Sequence, residues 1–209
     1  MATPEEERRW IERARRGDVA AFDQLVRLHE RTVHSTAWRL TGNADDASDI
    51  AQDAFVRAWN NLRHFRGDAK FSTWLHRIVT NAFLDDRKRR RARPVRSLDD
   101  AVDAEGMMEQ QVPDPAPGPE AMAEGLERHE VLEAAIRTLP EGQRVLMVLF
   151  HQQGLAYDEI ADVAGLPIGT VKSRLNRARL ALRDRLGPVA ELFGVEDRPT
   201  IEPSRGTEP

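Results

Sequence analysis

The stretch YDEIADVAGLPIGTVKSRLNR, Tyr157 to Arg177, decides how the chain folds. Ala161 is small where two short helices would cross, Gly165 is at ease in a left-handed turn, and Val171 returns to a core. Ile160, Leu166 and Leu175 fill the remaining apolar slots of a helix-turn-helix. On a helical wheel Val171, Leu175, Ala178 and Leu182 form one stripe. Lys172, Ser173, Asn176 and Arg177 fall on the other side, with Arg174 and Arg179 on the flanks. Side chains of these types hydrogen-bond base edges and phosphates in a major groove. A helical hairpin with a solvated basic face is the plainer alternative. The joint spacing of alanine, glycine and valine favours the DNA-reading one.

Upstream of this motif the pattern is helical as well. Asp18 suits a helix N-cap after Gly17, and Phe22, Leu25, Val26, Val33, Ala37 and Leu40 follow at helical spacing. Thr41-Gly42-Asn43 closes that helix, both Gly42 and Asn43 suiting an αL cap. A third helix carries Ile50, Ala54, Phe55, Ala58 and Leu62, with Asp45, Asp46 and Asp49 at its positive end. After Arg66-Gly67-Asp68, with Asp68 or Ser72 as cap, a fourth helix runs from Phe71 to Arg91. Phe71, Leu75, Ile78 and Ala82 form its core stripe, while Arg77, Asn81, Asp85 and Lys88 share another face. Trp74 sits at the seam. An aromatic and an amide beside a basic run suit unstacked bases of single-stranded DNA. Arg63, His64, Arg66 and Lys70 surround a glycine in the preceding loop, where a flipped base could be held. Trp74 as a core residue is an equally plain reading of the same pattern.

Charge is distributed in blocks. Arg87 to Arg96 holds seven basic residues and no acid, Ser97 to Glu130 holds ten acids and one base, and Lys172 to Arg185 holds six basic residues against Asp184. Two basic blocks flanking an acidic one imply two polyanion-binding surfaces. Pro94, Pro113, Pro115, Pro117 and Pro119 mark the acidic stretch as a flexible linker without a core. The expected fold class is all-α, with two small helical domains. The expected boundaries are 1–95 for the first domain, 96–120 for the linker, 121–187 for a four-helix second domain and 188–209 for a flexible tail.

Composition excludes several function classes. No cysteine is present, so disulfides and thiolate metal sites are ruled out, and the six histidines have no metal-ligand spacing. No cofactor is expected. Ala2 to Trp10 lacks the apolar core of a signal peptide, and no run approaches the roughly 18 apolar residues of a membrane helix. The expectation is a cytoplasmic protein without membrane insertion. Paired carboxylates, activated nucleophiles and metal constellations are absent from the motifs, so an enzyme is not expected. A dimeric helix-turn-helix regulator remains open on these grounds, although it leaves the aromatic-basic helix unexplained.

Three strings narrow the choice: DASDIAQDAFVRAW (Asp46 to Trp59), FSTWLHRIVTN (Phe71 to Asn81) and GLAYDEIA with PIGTVKSRLNRAR (Gly154 to Arg179). In this order they resemble the sigma-70 family, and within it the compact extracytoplasmic-function (ECF) group of bacterial sigma factors. The resemblance covers about two-thirds of the chain. It implies sigma region 2 in the first domain and sigma region 4 in the second. It also implies core RNA polymerase, through its β and β′ subunits, and promoter DNA as partners. Asp49, Gln52, Asp53, Phe55, Arg57 and Trp59 would dock on the β′ subunit. Arg63, His64, Arg66, Lys70, Trp74, Arg77, Asn81 and Lys88 would contact the −10 element, and Lys172, Ser173, Arg174, Asn176, Arg177 and Arg179 the −35 element. Members of the group are commonly restrained by an anti-sigma factor, which makes one an expected partner here.

Overall fold

The computed structural model describes residues 2–92 and 131–187. The acidic linker, the first residues of the second domain and the C-terminal tail expected above lie outside the described residues. Among the described residues every regular element is helical. The first unit comprises α1 (Pro4–Arg15), α2 (Val19–Thr41), α3 (Ala44–Asn61), a 3₁₀ turn (Leu62–His64) and α4 (Phe71–Ala92). The second comprises α5 (residues 131–137), α6 (Glu141–Met147), a π-helical turn (Val148–Gln152), α7 (Tyr157–Ala164) and α8 (Ile168–Leu186).

Local chemistry sets the breaks. The Asp18 carboxylate accepts the Ala21 N–H at 3.0 Å and starts α2. Gly42 closes α2 at φ 73°, and its N–H donates to the Trp38 carbonyl at 2.7 Å. Asn43 does not share that closing role. It adopts an extended backbone, and its side-chain oxygen accepts the Asp46 N–H at 2.9 Å, so it opens α3 instead. Two helices are thus joined by Gly42 and Asn43 alone, which fixes α2 and α3 as a tight hairpin. The first turn of α4 closes from Trp74 N–H to the Lys70 carbonyl at 3.1 Å. Lys70 therefore precedes the helix where Asp68 or Ser72 was expected to cap it.

In the first unit α2, α3 and α4 pack around Leu25, Leu40, Leu62, Val79 and Phe83, all at most 2% exposed. Ala47, Ala54 and Ala58 face this core from α3, and their small side chains let the neighbouring helices approach closely. In the second unit Ile136, Leu146, Leu149, Ile160, Val171, Leu175, Ala178 and Leu182 are buried. The α8 stripe read from the helical wheel is the one that faces this core.

The two units pack against each other. Helix α7 lies on α4, and α6 with the π turn lies on α2. Their contact buries a second stripe of α4, Thr73, His76 and Thr80, beside the Phe71–Leu75 stripe expected from periodicity. His76 faces His29 of α2 and Glu159 of α7. Burial first, and then His29, push its pKa down from 6.5 to about 4, against the opposing pull of Glu159. Between those values the unfolded chain binds more protons than the folded one, so stability contributed by neutral His76 is lost as pH falls from about 6.5 towards 4. Urea titrations at pH 7 and pH 5 should therefore show the natural chain losing about 2 kcal/mol more than His76→Gln over that interval. Equal losses in the two proteins would remove His76 as the source.

Candidate nucleic-acid interface

The fourth helix and its neighbours form an open cleft of about 330 Å³ lined by Arg57, Asn61, His64, Trp74, Arg77, Ile78 and Asn81. Four of the eight residues expected to contact the −10 element meet there: His64, Trp74, Arg77 and Asn81. Arg63, Arg66 and Lys70 are exposed on the adjoining loop, and Lys88 is exposed two turns further along α4. Trp74 is half-buried at the seam. Its ring lies 5.2 Å from Phe65 and 5.4 Å from Phe71, at the edge of an aromatic cluster, and its remaining surface walls the cleft.

Arg57, one of the residues expected on the docking face, also lines the cleft. Its guanidinium donates to Asp85 of α4 at 2.6 Å and to Asp53 of α3 at 2.9 Å, and it lines the cleft. Those carboxylates, Asp85 foremost, raise its pKa further and keep it cationic. The hydrogen bonds tie the cleft wall on α3 to the wall on α4. Two residues of the expected docking set, Asp53 and Arg57, are therefore engaged within the unit itself. Trp59 is half-buried with its ring 5.0 Å from Phe22, and Phe55 is half-buried too. Asp49 and Gln52 stand on the solvent face of α3. Beside them is Val56, 55% exposed, a residue absent from the expected set. An apolar side chain on a polar face is its signal, and only the observed burial pattern distinguishes it from the core valines.

In the basic run, Arg90 pairs with Asp86 at 2.7 Å and with Asp46 of α3 at 2.5 Å. Arg87 lies over the Phe83 ring at 5.5 Å. Part of this charge thus braces α4 against its neighbours.

In the second unit Gly165 takes φ 63° between α7 and α8, the left-handed turn that a β-carbon would disfavour. The recognition face of α8 presents Lys172, Ser173, Asn176 and Arg177 to solvent. Arg174 is half-buried and reaches back toward Gly142. Arg179 is also half-buried, its guanidinium 4.9 Å above the Phe150 ring and within 3.3 Å of the Tyr157 hydroxyl. Phe150 and Tyr157 stack at 5.2 Å, so Arg179 completes a layered cap over the domain edge. Among the described residues no group of three or more His, Asp or Glu is placed to hold a metal ion. No described helix is long and apolar enough to cross a membrane.

Comparison with known proteins follows the same two units. Residues 25–93 match the family model Sigma-70 region 2, and residues 129–182 match Sigma-70, region 4. The RNA polymerase sigma-H factor of Pseudomonas aeruginosa is 36% identical over 90% of this chain and 98% of its own length. The ECF RNA polymerase sigma factor SigW of Bacillus subtilis is 36% identical over 84% of this chain and 94% of its own. The ECF RNA polymerase sigma-E factor of Escherichia coli is 35% identical over 86% and 93%. Among solved structures, CnrH in complex with the cytosolic domain of CnrY aligns with a TM-score of 0.58 at 29% identity, over 87% of this chain and 97% of that one. The sigma factor RpoE in complex with the anti-sigma factor NepR, from Bartonella quintana, aligns with a TM-score of 0.58 at 27% identity, over 79% and 96%. With both family models matched in order on the two helical units, the chain belongs to the sigma-70 family, in its ECF group.

Proposed function

We propose that this chain binds core RNA polymerase and directs it to promoters, region 4 reading the −35 element and region 2 holding unpaired bases of the −10 element. The observation that carries this reading is the cleft between α3 and α4. It offers an aromatic wall, two arginines and two asparagines to a base that has left its stack. Capturing bases exposed only in the melted duplex shifts the duplex toward opening without hydrolysis. The protein therefore acts by binding and is not an enzyme, and it works in the cytoplasm, where polymerase and DNA are. The domain limits stay at 1–95 and 121–187, joined by 96–120 and followed by 188–209. A relative's solved complex with an anti-sigma factor supports an anti-sigma partner for this chain as well.

Within this reading Asp49, Gln52 and Val56 form the polymerase-docking face, and Arg57 belongs to the cleft. Arg174 and Arg179 position α8, while Lys172, Ser173, Asn176 and Arg177 touch DNA. A solvent-facing valine at a docking face is buried on association, so a charge there is left unpaired in the interface. Val56→Asp should weaken binding to purified core polymerase by about tenfold or more, with circular dichroism and urea midpoint unchanged. Unaltered core affinity would move the docking face elsewhere.

A further inference from the structure

The exposed face of α8 carries one side chain that neither charge nor hydrogen bonding accounts for. Ile168 opens the helix and is 47% exposed, whereas Val171, Leu175, Ala178 and Leu182 all turn inward. A lone isoleucine in water is ordinary on a protein surface, and its position is what singles this one out. Ile168, Lys172 and Asn176 follow one another at intervals of four, so they form one ridge along the helix. All three are exposed. Gly169 beside Ile168 has no side chain, and a β-carbon there would meet nothing within 4 Å, so the first turn of α8 is bare to an incoming surface. Leu180, 41% exposed, offers similar chemistry three turns later. A helix-turn-helix reads base edges with the N-terminal part of its second helix, which favours Ile168 over Leu180.

The polar side chains of this face are not equivalent either. The Ser173 hydroxyl donates to the Thr170 carbonyl at 3.1 Å, so its single proton stays within the helix. The Lys172 ammonium leans toward α7, 6.0 Å from the centre of the Tyr157 ring. Arg177 is an exposed cation on the flank. Asn176 differs from them, because its exposed amide makes no hydrogen bond with any described residue. That amide offers a donor and an acceptor side by side, the complement of adenine N7 and N6–H in the major groove. An isoleucine offers no hydrogen bond at all. The apolar group that a base pair presents on its major-groove edge is the C5-methyl of thymine. Eight residues separate Ile168 from Asn176, roughly 12 Å along the helix axis. That length matches about three or four base pairs at 3.4 Å each for a helix lying along the groove.

We propose that region 4 selects its −35 element through two side chains, Ile168 packing on the C5-methyl of a thymine and Asn176 pairing with the N6 and N7 edge of an adenine. Lys172 and Arg177 supply charge toward the phosphates, which raises affinity for any sequence and distinguishes none. The proposal rests on the −35 reading above and adds which side chains carry sequence information. It also states what they read: a thymine and an adenine within a few base pairs of each other.

The test changes single atoms of the DNA. The full-length chain bound to core polymerase selects from duplexes of a host promoter randomised over the −35 region, and the enriched sequence is then rebuilt with modified bases. Uracil in place of thymine removes only the C5-methyl, and 7-deazaadenine in place of adenine removes only the N7 acceptor. At one thymine, uracil should weaken binding by the natural chain about three- to fivefold. It should change nothing for Ile168→Ala, while Ile168→Val keeps the response. At one adenine, 7-deazaadenine should weaken binding by the natural chain about tenfold, and it should leave Asn176→Ala unaffected. Both residues are exposed, so circular dichroism of the variants should match that of the natural chain. Uracil that is silent at every thymine, or a uracil effect that persists in Ile168→Ala, would overturn the Ile168 assignment. The corresponding results with 7-deazaadenine and Asn176→Ala would overturn that of Asn176. Enrichment of no −35 sequence by the natural chain would sink the −35 reading itself.

Discussion

Replacing Lys172 and Arg177 together by alanine is expected to weaken binding to duplex −35 DNA by about 2–4 kcal/mol, or some 30- to 1,000-fold. Both side chains project from the exposed face of α8 and neither packs in the region 4 core. On the promoter reading their loss removes contacts to DNA, and it leaves the Val171–Leu182 stripe intact. Removing two cationic contacts should also flatten the dependence of log affinity on log salt by about two. Fluorescence anisotropy across a salt series reads both quantities. The contrast is Arg179, whose guanidinium is committed to Phe150 and Tyr157. An unchanged affinity and slope in the double variant would place DNA on another face.

Phe83→Ala should lower unfolding free energy by about 3–5 kcal/mol, a large part of the roughly 5–15 kcal/mol that a domain possesses. Phe83 is fully buried on α4, beneath the Arg87 guanidinium. Its removal leaves a cavity that α2 and α3 cannot close, because Ala54 and Ala58 already bring the helices near. Leu84 is the adjacent control. It is 38% exposed, and Leu84→Ala should cost about 0.5 kcal/mol or less. Urea denaturation of the two variants separates them, and similar midpoints would contradict the packing described.

Much of this architecture is legible residue by residue. Asp18 as a cap, Gly42 and Gly165 as left-handed turns, and the Val171, Leu175, Ala178 and Leu182 stripe are local signals, each within a few positions of its partner. What escapes the sequence lies between distant residues. Asp53 and Arg57 are one turn apart, yet the partner that draws Arg57 into the cleft is Asp85, 28 residues away. Thr73, His76 and Thr80 break no helical pattern. Their burial comes from α7, some 80 residues further on, which periodicity within α4 cannot register. Asn43 suits both ends of a helix, and only the hydrogen bond to Asp46 assigns it to α3. Val56 shows the converse limit, an apolar residue that the fold leaves in water.

Run-off transcription with purified core polymerase on templates bearing promoters of the native host tests the central claim most directly. Specific transcripts should appear only when this chain is added, and the Lys172→Ala, Arg177→Ala variant should abolish them while still binding core. Specific initiation without the added chain, or no initiation with it on any host promoter, would contradict the account.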